Sequence, residues 1–260
     1  VFGGIAAVFA VLAIIGLWRK DRQEYFGTGE TVKVGFKDYI DVLAHNRAIQ
    51  MLVASASSDK LSISMATNAT IMITLFGVIC GNYALYGSVS AITSIPICIL
   101  SILGMGVIAR NLGQKKALVI GTAGSIIFAL GLFLLMYLGD PTSMKLPVVS
   151  GIMGVFKGST WSLENWSLYG IIFMLLYILM RGFMNVAGSI VIPMTADCAD
   201  YEVYRSGKYV PGLMGTLFSC VDKIISSLAA TFVAVMFAAI GFKKELPVES
   251  TPYSDGIFWV

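Results

Sequence analysis

The feature that most constrains this chain is a succession of long apolar runs with its charges held in the breaks between them. Ile171 to Met180 shows it plainly, ten consecutive positions without a charge. A helix that crosses a bilayer needs about 20 mostly apolar residues. Runs of that order lie at 1–18, 49–79, 85–108, 117–138, 168–192 and 214–241, and another begins near 256. A transmembrane strand would instead alternate apolar and polar residues over about ten positions. The chain is 57% hydrophobic and 13% charged, with a mean hydropathy of +0.82. Soluble domains are roughly half apolar and a quarter charged. The expectation is an all-α membrane protein of six helices and the start of a seventh.

The run from Val1 to Trp18 has no basic region or small-residue cleavage site ahead of it, so it reads as a membrane helix and not as a signal peptide. Gly256 to Val260 reads as the first turn of a further helix, and the chain is expected to be a piece truncated at both ends. Cys80, Cys98, Cys198 and Cys220 are widely spaced with no C-x-x-C among them, which points to small apolar residues and not to a metal or redox centre. No metal site and no cofactor is expected. A net charge of +3 is too small to suggest nucleic acid.

If the breaks alternate sides, one side collects Arg19, Lys20, Arg22, Lys33, Lys37, Arg47, Arg110, Lys115, Lys116, Arg205 and Lys208, and the other only Lys145, Lys157, Lys243 and Lys244. The excess of basic residues assigns the first set to the cytoplasm. Arg19 to Asn46 is then a charged cytoplasmic connection in which Phe36, Tyr39, Ile40 and Leu43 form one apolar helical face, an interfacial linker helix. Trp161 and Trp166 in the outer loop suit the headgroup level. His45, beside Asn46 and Arg47, reads as solvated or capping.

Lys60, Arg181 and Lys223 fall inside spans, where an ionisable group is a functional hypothesis by default. Lys223 shares a helical face with Thr216, Ser219, Ser227 and Thr231, which reads as the lining of a wet cavity. Tyr177, Arg181, Asn185 and Ser189 recur every four residues and make a second polar stripe. Arg181 can fork onto a hydroxyl pair or a carboxylate, or can pair with Asp59 or Asp222. Ser57, Lys60, Ser64, Thr67 and Asn68 form a third stripe, with Asp59 turned about 100° away. Asp59, Lys60 and Asp222 are candidates for ion pairs, and Lys60 can equally snorkel at the cytoplasmic boundary.

The stretch from Ala196, ADCADYEVYRSGKYVPGLMGTLFSCVDK, resembles the A-D-x-x-D-Y…G-x-R…G-L…S…K signature of the glycoside-pentoside-hexuronide:cation symporter family. Leu43-Ala44-His45-Asn46-Arg47 is similar to that family's L-x-x-N-R ahead of its second bundle, and GVIARNLGQKK at 106–116 resembles the loop motif of the major facilitator superfamily. Three departures stand out. Arg110 replaces the acid of the loop motif, Tyr209 replaces an arginine of the signature, and Gly188 stands where an aromatic residue lines the family's sugar site.

The resemblance implies the C-terminal six-helix bundle of a major facilitator fold plus the preceding helix. Residues 1–18 would be the last helix of the N-terminal bundle, 19–48 the cytoplasmic linker and 49–260 the C-terminal bundle with its last helix incomplete. It further implies a secondary active transporter that imports a glycoside, pentoside or hexuronide with Na+ or H+ by alternating access, in the cell (plasma) membrane of a bacterium. The coupling-cation site would lie mostly in the N-terminal bundle, so the partners are a sugar, the bilayer and that bundle. Lys223, Arg181, Asn185, Tyr177, Ser219, Ser227 and Asn68 are the expected substrate-binding residues. Asp197, Asp200, Tyr201, Arg205 and Lys208 are expected in a cytoplasmic loop that gates the site. An exporter or exchanger of other small molecules on the same fold is the alternative. A membrane-embedded enzyme has no G-x-S-x-G, H-E-x-x-H or P-loop to rest on.

Overall fold

A computed structural model describes residues 2–18, 35–149, 155 and 163–241. Arg19, Lys20, Arg22, Lys33, Lys157, Trp161, Lys243, Lys244 and the expected helix start near 256 lie outside these residues. The chain divides into two compact units, Val1–Val34 and Gly35–Val260. In the first, α1 (Phe2–Trp18) is a 17-residue helix with no polar side chain. Its length is about 26 Å at ~1.5 Å per residue, a little short of the hydrocarbon thickness.

The second unit is helical in every regular element among the described residues. It opens with α2 (Phe36–His45) and α3 (Arg47–Ala66), continues through α4 (Ala69–Thr74) into a π-turn at Leu75–Ile79, and then α5 (Ala84–Gly104). A second π-turn, Met105–Ala109, leads to α6 (Arg110–Leu112). The helices α7 (Gln114–Leu138), α8 (Leu168–Ser206) and α9 (Pro211–Ala239) complete it. Four segments are long and apolar enough to cross a membrane: Ala84–Leu112, Gln114–Leu138, Leu168–Ser206 and Pro211–Ala239. The pair Arg47–Ala66 and Ala69–Ile79, bent by 43°, makes a fifth. Large apolar side chains such as Ile102, Leu103, Ile127 and Leu138 are exposed on these spans, as lipid-facing residues must be.

Local chemistry sets the ends. Asn46 caps α3 by accepting the Ile49 N–H at 3.0 Å, and Ser167 caps α8 by accepting the Gly170 N–H at 3.0 Å. Gly207, at φ 74°, closes α8 in the left-handed conformation that glycine adopts without a Cβ clash. Gly113, at φ 85°, makes the turn between α6 and α7 inside the G-x-x-x-x-x-x-G stretch of the loop motif. Pro211 starts α9, where a missing N–H costs nothing.

Two expectations are corrected. The span at 49–79 is not one helix. The chain breaks at Thr67 and Asn68, and the Asn68 side chain accepts the Thr70 N–H at 2.9 Å to start α4. The stretch from Asp197 to Arg205 is not a loop. Nothing between Ser189 and Ser206 stops the helix, since Pro193 is carried inside it, so α8 runs for 39 residues and the acids ride on its last turns. At ~1.5 Å per residue such a rod is about 58 Å long, far more than a bilayer core of ~30 Å.

The core is layered along the spans. One layer joins Ile49, Leu52, Ala117, Cys198, Ala199 and Leu213 at the end where α2 docks. A second joins Phe76, Leu85, Met136, Met144 and Phe173 at the opposite end, with Trp166 packed against it. Helices α7 and α8 approach closely because Gly121 leaves no side chain between them. A Cβ there would come within 3.0 Å of the Ala187 backbone nitrogen. Small residues at such contacts are how helices associate in lipid, where apolar burial gives no preference for protein over lipid.

Candidate functional site

Three of the polar stripes converge on an open cleft of about 510 Å³ between α3, α5, α8 and α9. Asp59 and Lys60 come from α3, Asn185 and Ser189 from α8, and Ser219, Asp222 and Lys223 from α9. The charges have sorted themselves by reach. Lys60 Nζ lies 3.0 Å from Asp222 Oδ1, so the pair ties α3 to α9. Asp59, next in sequence to Lys60, turns toward α7, where the Thr122 hydroxyl donates to its two carboxylate oxygens at 3.4 and 3.3 Å. Lys223 has no carboxylate partner among the described residues and lies exposed on the cleft wall. Gly188 lines the same cleft, so the space an aromatic ring would take is open.

A second cavity, about 300 Å³, lies between the ends of α3 and α4, α5 and α8, and holds Tyr177 and Arg181. The Tyr177–Ser189 stripe therefore serves both spaces, its first two members in one and its last two in the other. Arg181 reaches neither Asp59 nor Asp222, and the ion pairs expected for it with those acids do not form. Its only hydrogen-bond partner among the described residues is the Met184 thioether at 3.6 Å.

Two other expected substrate residues line neither cavity. Asn68 spends its side chain on the α4 cap, and the Ser227 hydroxyl donates to the Lys223 carbonyl at 3.0 Å.

At the end of the bundle, α2 lies against the last turns of α8. Glu202 is 1% exposed and Asn46 0%. The Asn46 amide donates to Glu202 Oε2 at 2.8 Å. Arg205 clasps the same carboxylate through Nε at 3.0 Å and a terminal nitrogen at 2.7 Å, and that terminal nitrogen also donates to Asp41 Oδ2 at 3.1 Å. Lys208 Nζ stands 3.5 Å from Asp38. The buried charge of Glu202 is thus met from two sides, which a buried carboxylate requires. Asp197, Asp200 and Tyr201 are exposed, and neither aspartate has an ion pair among the described residues. His45 Nδ1 lies 2.9 Å from Asp41 Oδ1.

Asn46, Glu202 and Asp41 are central to this cluster and were not among the expected site residues. The clue available was that Asn46 sits in the L-x-x-N-R stretch and Glu202 in the acidic signature, so the two motifs that carry the resemblance are the two that touch.

Four long apolar helices and one bent pair, arranged around a polar, charge-bearing cleft, define a multi-pass membrane protein. A family model described as MFS/sugar transport protein matches residues 1–259, and the chain belongs to that family of the major facilitator superfamily. No curated protein and no solved structure matches the chain.

Proposed function

We propose that this chain forms one bundle of a two-bundle sugar:cation symporter of the glycoside-pentoside-hexuronide type, residing in the plasma membrane of a bacterium and importing its substrate by alternating access. The observation that carries the reading is the cleft itself. A Lys60–Asp222 pair, Lys223 and the Asn185, Ser189 and Ser219 side chains are gathered among apolar spans. Charges and amides held at that depth are costly unless a polar ligand or water path uses them. A hydroxyl-rich ligand needs such scattered donors and acceptors. The coupling ion, Na+ or H+, binds mostly in the other bundle, whose acids face Lys223 when the two halves close. Asp197, Asp200, Tyr201, Arg205 and Lys208 lie on the cytoplasmic side and open and shut the inner mouth.

The test is uptake of labelled glycosides and uronides into proteoliposomes that hold the intact two-bundle carrier, under imposed Na+ or proton gradients. Gradient-driven accumulation is expected, and Lys223→Ala abolishes it while leaving insertion intact. Equal accumulation by Lys223→Ala would remove the lysine from the transport site, and export of lipophilic compounds without any sugar uptake would overturn the sugar reading.

A further inference from the structure

We infer that the cavity around Arg181 is a separate carboxylate-recognising station, selecting sugar acids over neutral sugars before they reach the Lys223 cleft. The inference rests on the sugar-transport reading above and narrows its substrate class.

Arg181 is the one charged side chain lining this cavity among the described residues. A guanidinium carries five N–H donors in a planar fork. Here the sole acceptor it meets among the described residues is the Met184 thioether, a weak one. Its donors are therefore largely unmet inside a span, where an unmet charge is expensive. A carboxylate offers the matching pair of parallel acceptors, with charge assistance.

Three of the hydroxyls on the same wall have the opposite polarity. Thr67 donates its hydroxyl proton to the Ile63 carbonyl at 2.7 Å, Thr93 to Val89 at 2.8 Å and Ser94 to Ala91 at 2.9 Å. Each proton is spent within its own helix, which leaves the hydroxyl oxygens as acceptors. A ligand that fits both walls must present an anionic acceptor to Arg181 and several O–H donors to Thr67, Thr93 and Ser94. A sugar acid has that distribution, and a neutral sugar has only half of it. Tyr177, stacked on Phe173 with ring centroids 6.0 Å apart, supplies a fixed flat wall. A volume of about 300 Å³ is at the lower end of small-molecule sites, which suits one ring and not a longer saccharide.

The station also has an exit. One and two turns along α8 from Arg181 stand Asn185 and Ser189, which line the Lys223 cleft. The anionic group passes from one cation to the next along a continuous polar stripe.

Equilibrium binding to the intact carrier separates the possibilities, with radiolabelled methyl β-D-glucuronide, methyl β-D-glucoside and glucose 6-phosphate as probes. Wild type should bind the glucuronide at least ~10-fold more tightly than the glucoside. Arg181→Gln should weaken the glucuronide by about 10- to 100-fold, the range of a charge-assisted hydrogen bond, and leave the glucoside within about threefold. Arg181→Lys, which keeps the charge and loses the fork, should fall between, and it carries the test alone should Arg181→Gln not survive extraction as a monodisperse species. Equal loss for both sugars, or an unchanged glucuronide affinity in both variants, overturns the station. Preference for the phosphate over the glucuronide overturns the carboxylate assignment. If wild type binds the glucoside well without favouring the glucuronide, this inference fails and the sugar reading stands. If wild type binds none of the three, the sugar reading itself fails.

Discussion

Asn46 donates its side-chain amide to Glu202 at 2.8 Å across 156 positions of sequence, and both residues are shut off from solvent. The same asparagine caps α3 with its oxygen, so one side chain starts a helix and pins it to the end of another.

Asn46→Ala should therefore cost more than an ordinary cap. The lost cap is worth about 1 kcal/mol, and stranding part of a buried carboxylate adds about 1–3 kcal/mol. Thermal unfolding of the detergent-solubilised protein reports the sum. Glu202→Gln keeps an acceptor for Asn46 and should destabilise less. A melting temperature unchanged by Asn46→Ala would mean that the contact contributes nothing.

Arg205 joins Glu202 to Asp41 and so fastens α2 to α8. Arg205→Ala should raise hydrogen–deuterium exchange across Phe36–His45 while exchange in α7 stays unaltered. The attachment should also depend on acid. The Gly35 N–H, at 2.8 Å, holds the Asp38 carboxyl below the usual carboxylate range, with help from Lys208. A depressed value means that the Asp38 contribution is fully present above the ordinary carboxylate pKa, about 4, and is lost as pH falls through the lowered one. Protection of the first turn of α2 should hold from neutral pH to about 4 and fall only below it.

Lys60 and Asp222 should behave as a unit. Either residue replaced by Ala should slow transport about tenfold, and the double variant should lose much less than the product of the two, since paired charges are coupled. Charge reversal, Lys60→Asp with Asp222→Lys, should recover part of the activity. Independent, multiplying losses in initial uptake rates would show that the pair is not functional.

Gly121 and Gly131 lie on the same helix and face the same neighbour, yet they should respond differently to alanine. At Gly121 the new Cβ meets the Ala187 backbone, which cannot rotate away, and a loss of about 1–3 kcal/mol is expected. At Gly131 it would rest 3.5 Å from a Leu176 methyl, an ordinary contact. Equal melting temperatures for the two variants would refute the account of how α7 and α8 approach.

The repeated apolar runs announced the spans, and the four-residue recurrence of Tyr177, Arg181, Asn185 and Ser189 announced a polar face, because both are periodicities within one helix. What pairs with what was not legible. Lys60 finds Asp222 and not its own neighbour Asp59 because α3 crosses α9 at that height, a fact of tertiary packing. The break at Thr67–Asn68 is hidden by apolar residues on both sides. The extension of α8 past Asp197 was obscured by charge density that resembles a loop, although the helix ends only at Gly207, in the left-handed conformation.

Pro193 gives α8 an uneven stiffness. Its ring has no N–H to offer, so the carbonyl of Ser189, one turn earlier, lacks its usual donor. Arg181 and Ser189 sit on one side of that missing bond and Glu202 and Arg205 on the other. The rod is therefore weakest between the segment that would carry cargo and the segment bolted to α2. Strain applied at one end would be taken up as flexure at a chosen point and not spread evenly along 39 residues.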